Sequence, residues 1–328
     1  MAEGDPVPGS LFIYAPNQGA PIFFAIAFAT SAIFHFWQCR RYHSLSLLGL
    51  HPLCAVLLTA GYTLREYASF NYLYSPRNLI TYILSQVLIY ICPPLLELSN
   101  YHILARTFAY IPHLSPLPPR HILTTFGALM AVIELLNALG VALAANPSSS
   151  QPNRSLGKDL ILASLALQLT ILLIFVALAS IFHSRLVKSK FSTSTITTPL
   201  FTLYASTFLI FARCIFRLVE HTTGPTAVRL SDPESLKSLT PLLRYEWYFY
   251  VFEATLMLLN SVLWNVWNAG RYLKKGVCLD PDGREVQGEV DRRGVGRRIG
   301  SVVTFGVFFR EKKGGRQFEE LRELNGGN

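Results

Sequence analysis

Charged residues are scarce in this sequence. Asp, Glu, Lys and Arg make up 15% of its 328 residues, whereas hydrophobic residues make up 51%. Soluble domains contain about 25% charged residues, so this composition argues against a soluble protein and favours a polytopic membrane protein. The formal net charge is +9, but the basic residues flank apolar runs, which is typical of membrane topology rather than of nucleic-acid binding.

Several chemical signatures are also missing. The five cysteines include no CxxC pair, and no two histidines have the HxxxH or HExxH spacing of a zinc hydrolase. The glycine-rich sequence GVGRRIG lacks the GK[ST] ending of a phosphate-binding loop. We therefore expect no disulfide framework, no metal, no cofactor and no enzymatic activity.

Seven apolar runs are long enough to be membrane-spanning helices, which need about 20 residues each. The second run is diluted by polar residues, and Pro93–Pro94 should kink or break the third near its end. The predicted fold is therefore an all-α integral membrane protein, a bundle of seven transmembrane helices. The runs lie near residues 19–38, 47–69, 78–101, 121–145, 158–183, 198–220 and 246–268.

The basic residues predict how this bundle is oriented. No Lys or Arg occurs before residue 19, so the basic region of a cleaved signal peptide is missing and the first run should act as its own insertion signal. With the N-terminus outside, ten Lys and Arg residues lie on the inner side near the membrane and six on the outer side, as the positive-inside rule requires.

This topology divides the chain into three parts. We predict an extracytoplasmic N-terminus at residues 1–18, a seven-helix membrane domain at 19–270 and a basic, largely flexible cytosolic tail at 271–328. The tail is rich in glycine and charge and has too little apolar sequence for a core. The one N-x-[ST] sequon begins at Asn153, on the outer side, which makes Asn153 a candidate glycosylation site.

Ionisable residues inside the predicted spans form the candidate site. Charge in a membrane span is costly and often marks function. In this topology Glu97 lies on the inner side, whereas eight others lie in the outer half and predict a ligand-binding cavity that opens outward. The alternative is a set of ion pairs that hold helices together. The eight residues are Arg65, Glu66, Glu134, Arg213, Arg217, Glu220, Glu246 and Glu253.

These eight residues comprise three arginines and five glutamates. Some carboxylates must therefore be protonated, paired with other groups or in contact with a cationic ligand.

Several short motifs follow one another in order along the chain. They are YAP at Tyr14–Pro16, GYTLRE at Gly61–Glu66, Pro93–Pro94 with Tyr101, Gln168, the pattern Arg213, Arg217, Glu220 and Gly224, and Glu246 with YVFEA at Tyr250–Ala254. Through these motifs, roughly residues 12–270 resemble the fungal lipid-translocating exporter family, the group typified by the 7-aminocholesterol-resistance protein and the sphingoid long-chain-base exporter. The chain departs from the family pattern in having Glu253 in place of an aspartate, Asn137 in place of a glutamine, and WNAG in place of a His-Pro-Gly ending.

The resemblance implies a protein that exports or flops sphingoid bases or other cationic amphiphiles toward the outer leaflet, with toxin and stress resistance as the phenotype. The amino-alcohol headgroup of such a lipid would suit Glu134, Glu246 and Glu253. Arg213 and Arg217 would then orient these carboxylates, or bind a phosphate if the lipid carries one. Membrane lipids are then the expected partners, without nucleic acid, and no protein partner is assigned. The plasma membrane is the expected location, with internal membranes as the alternative. The residues leave a rival function open, a seven-helix lipid sensor or receptor without transport activity whose basic tail docks a partner.

Overall fold

The fold is known from a computed structural model, which describes residues 7–145, 150–189, 194–223, 239–273, 276–279 and 285–287. The first eight helices are α1 (Ala20–Arg41), α2 (Leu45–Leu48), α3 (Leu50–Phe70), α4 (Pro76–Tyr90), α5 (Cys92–Tyr110), α6 (Pro119–Ala145), α7 (Gln151–Lys188) and α8 (Ser194–Thr223), with a 3-10 turn at Pro112–Leu114. The remainder comprises α9 (Pro241–Arg244), α10 (Glu246–Phe249), a π-helical segment (Tyr250–Thr255), α11 (Leu256–Val266), α12 (Ala269–Tyr272) and the strands β1 (Val277–Leu279) and β2 (Glu285–Gln287).

Long apolar helices confirm the predicted all-α, multi-pass membrane fold. Within the described residues, six segments are long and apolar enough to cross a membrane. Helix α3 occupies the second predicted run but is not one of the six, because polar and charged side chains such as Arg65 and Glu66 dilute it. It packs between α1 and α4. The count of seven spans and the orientation remain predictions. The six segments are Ala20–Arg41, Pro76–Tyr110, His121–Ala144, Gln151–Lys188, Thr195–Thr223 and Glu246–Tyr272.

The third predicted span is broken where its prolines occur, but it is longer than predicted. Helix α4 ends at Tyr90, and α5 begins at Cys92 with Pro93 in its first turn, where a missing backbone N–H interrupts no helical hydrogen bond. The span continues to Tyr110 and has 35 residues. The break therefore lies near its middle, and the prediction that it lies near the end was wrong.

Helix α5 lies at the centre of the bundle. It packs against α3, α4, α6 and α8, and most of its side chains are buried. Large apolar side chains elsewhere, such as Phe23, Ile33, Leu135 and Phe208, are more than half exposed. In a bilayer such side chains face lipid, so the polar side chains collect inside the bundle.

Most of the predicted cytosolic tail, 271–328, lies outside the described residues. In its described part, β1 and β2 pair as an antiparallel ribbon, with Cys278 opposite Val286. The flexibility of the tail and the limits of the three predicted parts remain predictions.

Helices α6 and α7 meet at two facing glycines. A Cβ added to Gly157 would lie 2.7 Å from the backbone nitrogen of Ala144 and 2.7 Å from the carbonyl oxygen of Gly140. Both are backbone atoms, so the contact can be relieved only if the helices move apart. Small residues permit this kind of close approach between membrane helices.

We therefore expect Gly157→Ala to lower stability by about 1–3 kcal/mol, the usual cost of overpacking a well-packed site. The measurement is the thermal unfolding temperature in detergent, with Gly19→Ala as the control. Of the residues that the structure describes, a Cβ at Gly19 would meet only the Asn17 side chain, at 3.6 Å. Equal unfolding temperatures for the two variants would contradict the close approach of α6 and α7.

Candidate functional site

The candidate site is built on the last span, Glu246–Tyr272, which changes helix type around Glu253. Residues Tyr250–Thr255 are π-helical and bury Tyr250, Glu253 and Ala254. The hydroxyl of Thr255 donates to the carbonyl oxygen of Tyr250 at 2.8 Å. Short π-helical segments are rare and frequently occur at functional sites. This one coincides with the YVFEA motif, and periodicity in the sequence did not predict it.

Arg65 from α3 is the centre of a first cluster, and only 2% of it is exposed. Its Nη2 donates to Oε1 of Glu246 at 3.0 Å and to the hydroxyl of Tyr14 at 3.3 Å. Its Nε donates to the hydroxyl of Tyr250 at 3.3 Å, and that hydroxyl donates to the same Glu246 oxygen at 3.0 Å. One guanidinium thus links α3, the last span and the segment before α1.

Aromatic rings cover the remaining faces of this guanidinium. Its central carbon lies 4.1 Å from the ring centroid of Phe249 and 4.9 Å from that of Phe12. Both distances are within the range of a cation–π interaction, which strengthens when water is excluded. The charge of Arg65 is therefore stabilised by one carboxylate and by the faces of aromatic rings. We call Arg65, Glu246, Tyr14, Tyr250, Phe12 and Phe249 the Arg65 cluster.

Arg213 and Glu253 form the most buried ion pair of the predicted set. Nε of Arg213 donates to both carboxylate oxygens of Glu253, at 2.8 and 3.0 Å. The two side chains are 7% and 1% exposed. The pair joins α8 to the π-helical segment, and Arg213 also interacts electrostatically with Glu134 of α6.

Arg217, one turn further along α8, forms a half-buried third group. Its Nη1 donates to Oε2 of Glu220 at 2.5 Å and to the hydroxyl of Tyr90 at 3.3 Å. Its Nη2 lies 3.1 Å from Nε2 of His221. The guanidinium carbon lies 4.4 Å from the ring centroid of Tyr90. This ion pair lies within one helix, and Tyr90 attaches it to α4.

In the described structure, six of the eight predicted residues form ion pairs. Each of the three arginines pairs with a different glutamate. Glu134 and Glu66 form no ion pair within the described residues, and both carboxylate oxygens of Glu66 are buried without a hydrogen-bond partner there. Among the described residues, the unpaired carboxylates of the predicted set are therefore Glu66 and Glu134, whereas Glu246 and Glu253 are neutralised by arginine. That the set lines a ligand cavity remains a prediction.

Two further predictions concern glycosylation and metal binding. Asn153 is exposed in the first turn of α7, and its glycosylation remains a prediction. Within the part of the chain that the structure describes, no group of three or more His, Cys, Asp and Glu side chains is placed to hold a metal ion.

Glu97 was set apart from the predicted site, but it lies close to it in the fold. It is fully buried on α5 and accepts hydrogen bonds from the hydroxyl of Tyr101 and, at 2.8 Å, from Nε2 of Gln168. Oε1 of Gln168 lies 3.5 Å from Sγ of Cys214, the neighbour of Arg213 in α8. Tyr101 and Gln168 both belong to the motifs that carry the family resemblance. Their place in those motifs was the sequence signal that could have indicated a role for Glu97.

The segment before α1 was also missing from the predicted site. The backbone nitrogen of Leu11 donates to the carbonyl oxygen of Tyr72 at 2.9 Å, and the ring of Phe12 packs edge-on against Tyr82 at 4.8 Å. The backbone nitrogen of Asn17 donates to Oε2 of Glu246 at 2.6 Å. Residues 7–17 therefore contribute contacts to both Arg65 and Glu246. Only the YAP motif, which contains Tyr14, indicated a role for them.

Comparison with known proteins gives matches over most of the chain. A family model described as RTA1 like protein matches residues 52–276, a range that contains all eight predicted site residues. A protein from Leptosphaeria maculans named lipid-translocating exporter-like protein RTA1 is 47% identical over 335 residues, which cover 98% of this chain. A protein of the same name from Ajellomyces capsulatus is 26% identical over 251 residues, 71% of this chain and 74% of the relative.

The chain is shorter than the first of these relatives and spans 64% of its length. No solved structure matches the chain.

Proposed function

The chain belongs to the RTA1-like family, and from that premise we propose that it translocates an amphiphilic lipid with a cationic, sphingoid-base-like headgroup toward the outer leaflet. Two of its relatives are named lipid-translocating exporter-like protein, which supports a role in lipid transport. We further propose that it acts in the plasma membrane and that resistance to amphiphilic toxins or stress follows from its activity.

The observation that carries this proposal is the buried ion pair between Arg213 and Glu253. A buried ion pair is weak evidence for stability, because well-packed apolar residues are often as stable in the same place. Because charge inside a membrane domain is costly and adds little stability, its presence there indicates a function. This pair also lies at the π-helical segment, where the last span departs from regular α-helix.

In the mechanism that we propose, the ammonium group of the lipid replaces the guanidinium of Arg213 on the carboxylate of Glu253. Arg213 then moves toward Glu134, with which it already interacts electrostatically. Each cation keeps a carboxylate in this exchange, so no charge is left unpaired in a low-dielectric interior. Arg213 thus pairs with Glu253 before the lipid binds and with Glu134 while the lipid is bound. The mechanism therefore gives a role to Glu134, which forms no ion pair within the described residues.

The test is translocation of a fluorescent sphingoid base by the purified protein in proteoliposomes, followed by extraction of the base from the outer leaflet with albumin. We expect Arg213→Ala and Glu253→Gln to slow translocation at least tenfold, because each removes one side of the exchange. Matched controls are Arg77→Ala and Asp159→Asn, which change exposed side chains and should leave the rate unchanged.

Correctly folded Arg213 and Glu253 variants that move the base at the wild-type rate would show that this ion pair has no role in translocation. A wild-type protein that binds the base saturably but does not move it would instead support the lipid sensor.

A further inference from the structure

A second group of buried polar side chains lies further along the last span and contains no Asp, Glu, Lys or Arg. Asn260 and Trp264 are one helical turn apart on α11, and both are 0% exposed. The ring of Trp264 lies 5.4 Å from the ring of His51 on α3, and His51 stacks on His35 of α1 at 5.5 Å. We call Asn260, Trp264, His51, His35 and Ser261 the Asn260 cluster. Through His35 and His51, α1 and α3 contact the last span here. Asn260 is seven residues beyond Glu253.

Some polar atoms of the Asn260 cluster have partners. Nε2 of His51 lies 3.0 Å from the hydroxyl of Ser99, and Nε2 of His35 lies 3.2 Å from the hydroxyl of Ser261. The Ser261 hydroxyl lies 2.6 Å from that of Ser31. These contacts hold the two imidazole rings in place.

Four other atoms of the cluster are buried and have no hydrogen-bond partner within the described residues. They are both amide atoms of Asn260, Nε1 of Trp264 and Nδ1 of His51. Two other buried asparagines, Asn100 and Asn268, are hydrogen-bonded to neighbouring side chains. Leaving a buried polar group without a hydrogen-bond partner is costly, so each such group calls for an explanation. Four such atoms in one cluster point to a missing hydrogen-bonding group.

We propose that the Asn260 cluster is a second binding site, which takes the uncharged hydroxyl group of an amphiphile. Asn260 offers a donor and an acceptor, Nε1 of Trp264 offers a donor, and Nδ1 of His51 offers either, according to its tautomer. A hydroxyl group both donates and accepts, so it matches both kinds of atom that lack a partner here. An ammonium or a phosphate would find no opposite formal charge on Asn260 or Trp264, and burying it there would be costly.

This site does not depend on the ion-pair exchange proposed above. The Arg213–Glu253 pair binds through charge, whereas the Asn260 cluster binds through neutral hydrogen bonds. An amphiphile that carries an amine and a hydroxyl would meet both chemistries along one helix. A neutral alcohol would use the Asn260 cluster alone.

Thermal unfolding of the full chain in detergent tests whether Asn260 has a structural role. We expect Asn260→Leu to leave the unfolding temperature unchanged or raise it, because the change removes an unpartnered amide and keeps a side chain of similar size. The matched control, Asn100→Leu, removes an amide that is hydrogen-bonded to Ser206 in both directions and should lower it. A loss in Asn260→Leu as large as that in Asn100→Leu would overturn the proposal.

Photolabelling in lipid nanodiscs tests binding directly. The probes are a diazirine-bearing hexadecanol and a hexadecane with the same diazirine, and the labelled sites are mapped by mass spectrometry. We expect the alcohol to label the region Met257–Trp264 at least fivefold more than the alkane, and Asn260→Leu to abolish this excess. Equal labelling by the two probes, or labelling by the alcohol that survives Asn260→Leu, would show that the cluster holds no hydroxyl ligand.

The labelling experiment tests the hydroxyl site separately from the proposed translocation mechanism. The double variant Arg213→Met/Glu253→Leu removes the proposed site for a cationic headgroup without leaving an unpaired charge. It changes no residue of the Asn260 cluster, so labelling by hexadecanol should persist in this variant. A failure of the ion-pair exchange would appear in the translocation assay alone. A failure of the hydroxyl site would appear in the labelling alone.

Discussion

Replacing Glu253 with glutamine is expected to destabilise the folded protein more than replacing Arg213 with glutamine. Each change breaks the same ion pair, whose side chains are 1% and 7% exposed. The guanidinium that remains in Glu253→Gln cannot lose its proton, whereas the carboxyl group that remains in Arg213→Gln can become neutral by taking one up. Removing one partner of a buried pair costs about 3–5 kcal/mol. We expect Glu253→Gln to fall in that range and Arg213→Gln below it.

The matched double variant Arg213→Met/Glu253→Leu should regain most of the lost stability. It leaves no unpaired charge, and apolar replacements of a buried ion pair are often neutral or stabilising. The measurement is the thermal unfolding temperature in detergent, with Asp159→Asn as the control for a change of acid to amide at an exposed site. A double variant as unstable as Glu253→Gln would show that the stranded charge is not the cause of the loss.

The same double variant separates folding from function. If the ion-pair exchange is correct, this protein should be stable and yet fail to move the fluorescent base in proteoliposomes. A stable double variant with wild-type translocation would leave the pair with no role beyond helix packing, which is the alternative that the sequence left open.

The membrane fold was predictable because an apolar run of about 20 residues carries its own signal. Helix ends were less predictable, because hydropathy falls at the first charges while the helix continues. Thus α5 continues past Arg106 to Tyr110, and α7 extends from Gln151 to Lys188, well beyond the apolar run at 158–183. The prolines predicted the break at Pro93–Pro94, since a missing N–H acts locally.

The pairing of charges was not predictable from spacing. Glu246 and Glu253 lie on one helix and Arg213 and Arg217 on another, and several pairings fit that spacing equally well. In the structure Glu253 pairs with Arg213, and Arg217 pairs with Glu220 of its own helix. Glu246 pairs with Arg65 from α3. These pairings depend on which helices pack together and on the π-helical segment. The periodicity of the sequence predicts neither.

Arg65→Lys is expected to destabilise the protein nearly as much as Arg65→Gln, although lysine keeps the charge. The guanidinium of Arg65 bonds to Glu246, Tyr14 and Tyr250 from two of its nitrogens and lies 4.1 Å from the ring centroid of Phe249. An ammonium group has one nitrogen, is more strongly hydrated and does not stack in this way. A loss of about 3 kcal/mol is expected, at the lower end of the cost of breaking a buried ion pair.

Two measurements check this prediction, the thermal unfolding temperature and the rate at which chymotrypsin cuts after the aromatic residues Phe12 and Tyr14. Both residues contact Arg65, so Arg65→Lys should lower the unfolding temperature and speed this cleavage. Arg77→Lys changes an exposed arginine in the first turn of α4 and should alter neither. If Arg65→Lys had the unfolding temperature and the cleavage rate of the wild-type protein, charge alone would be enough to hold the Arg65 cluster together. Faster cleavage at an unchanged unfolding temperature would instead limit the effect of the guanidinium to anchoring residues 7–17.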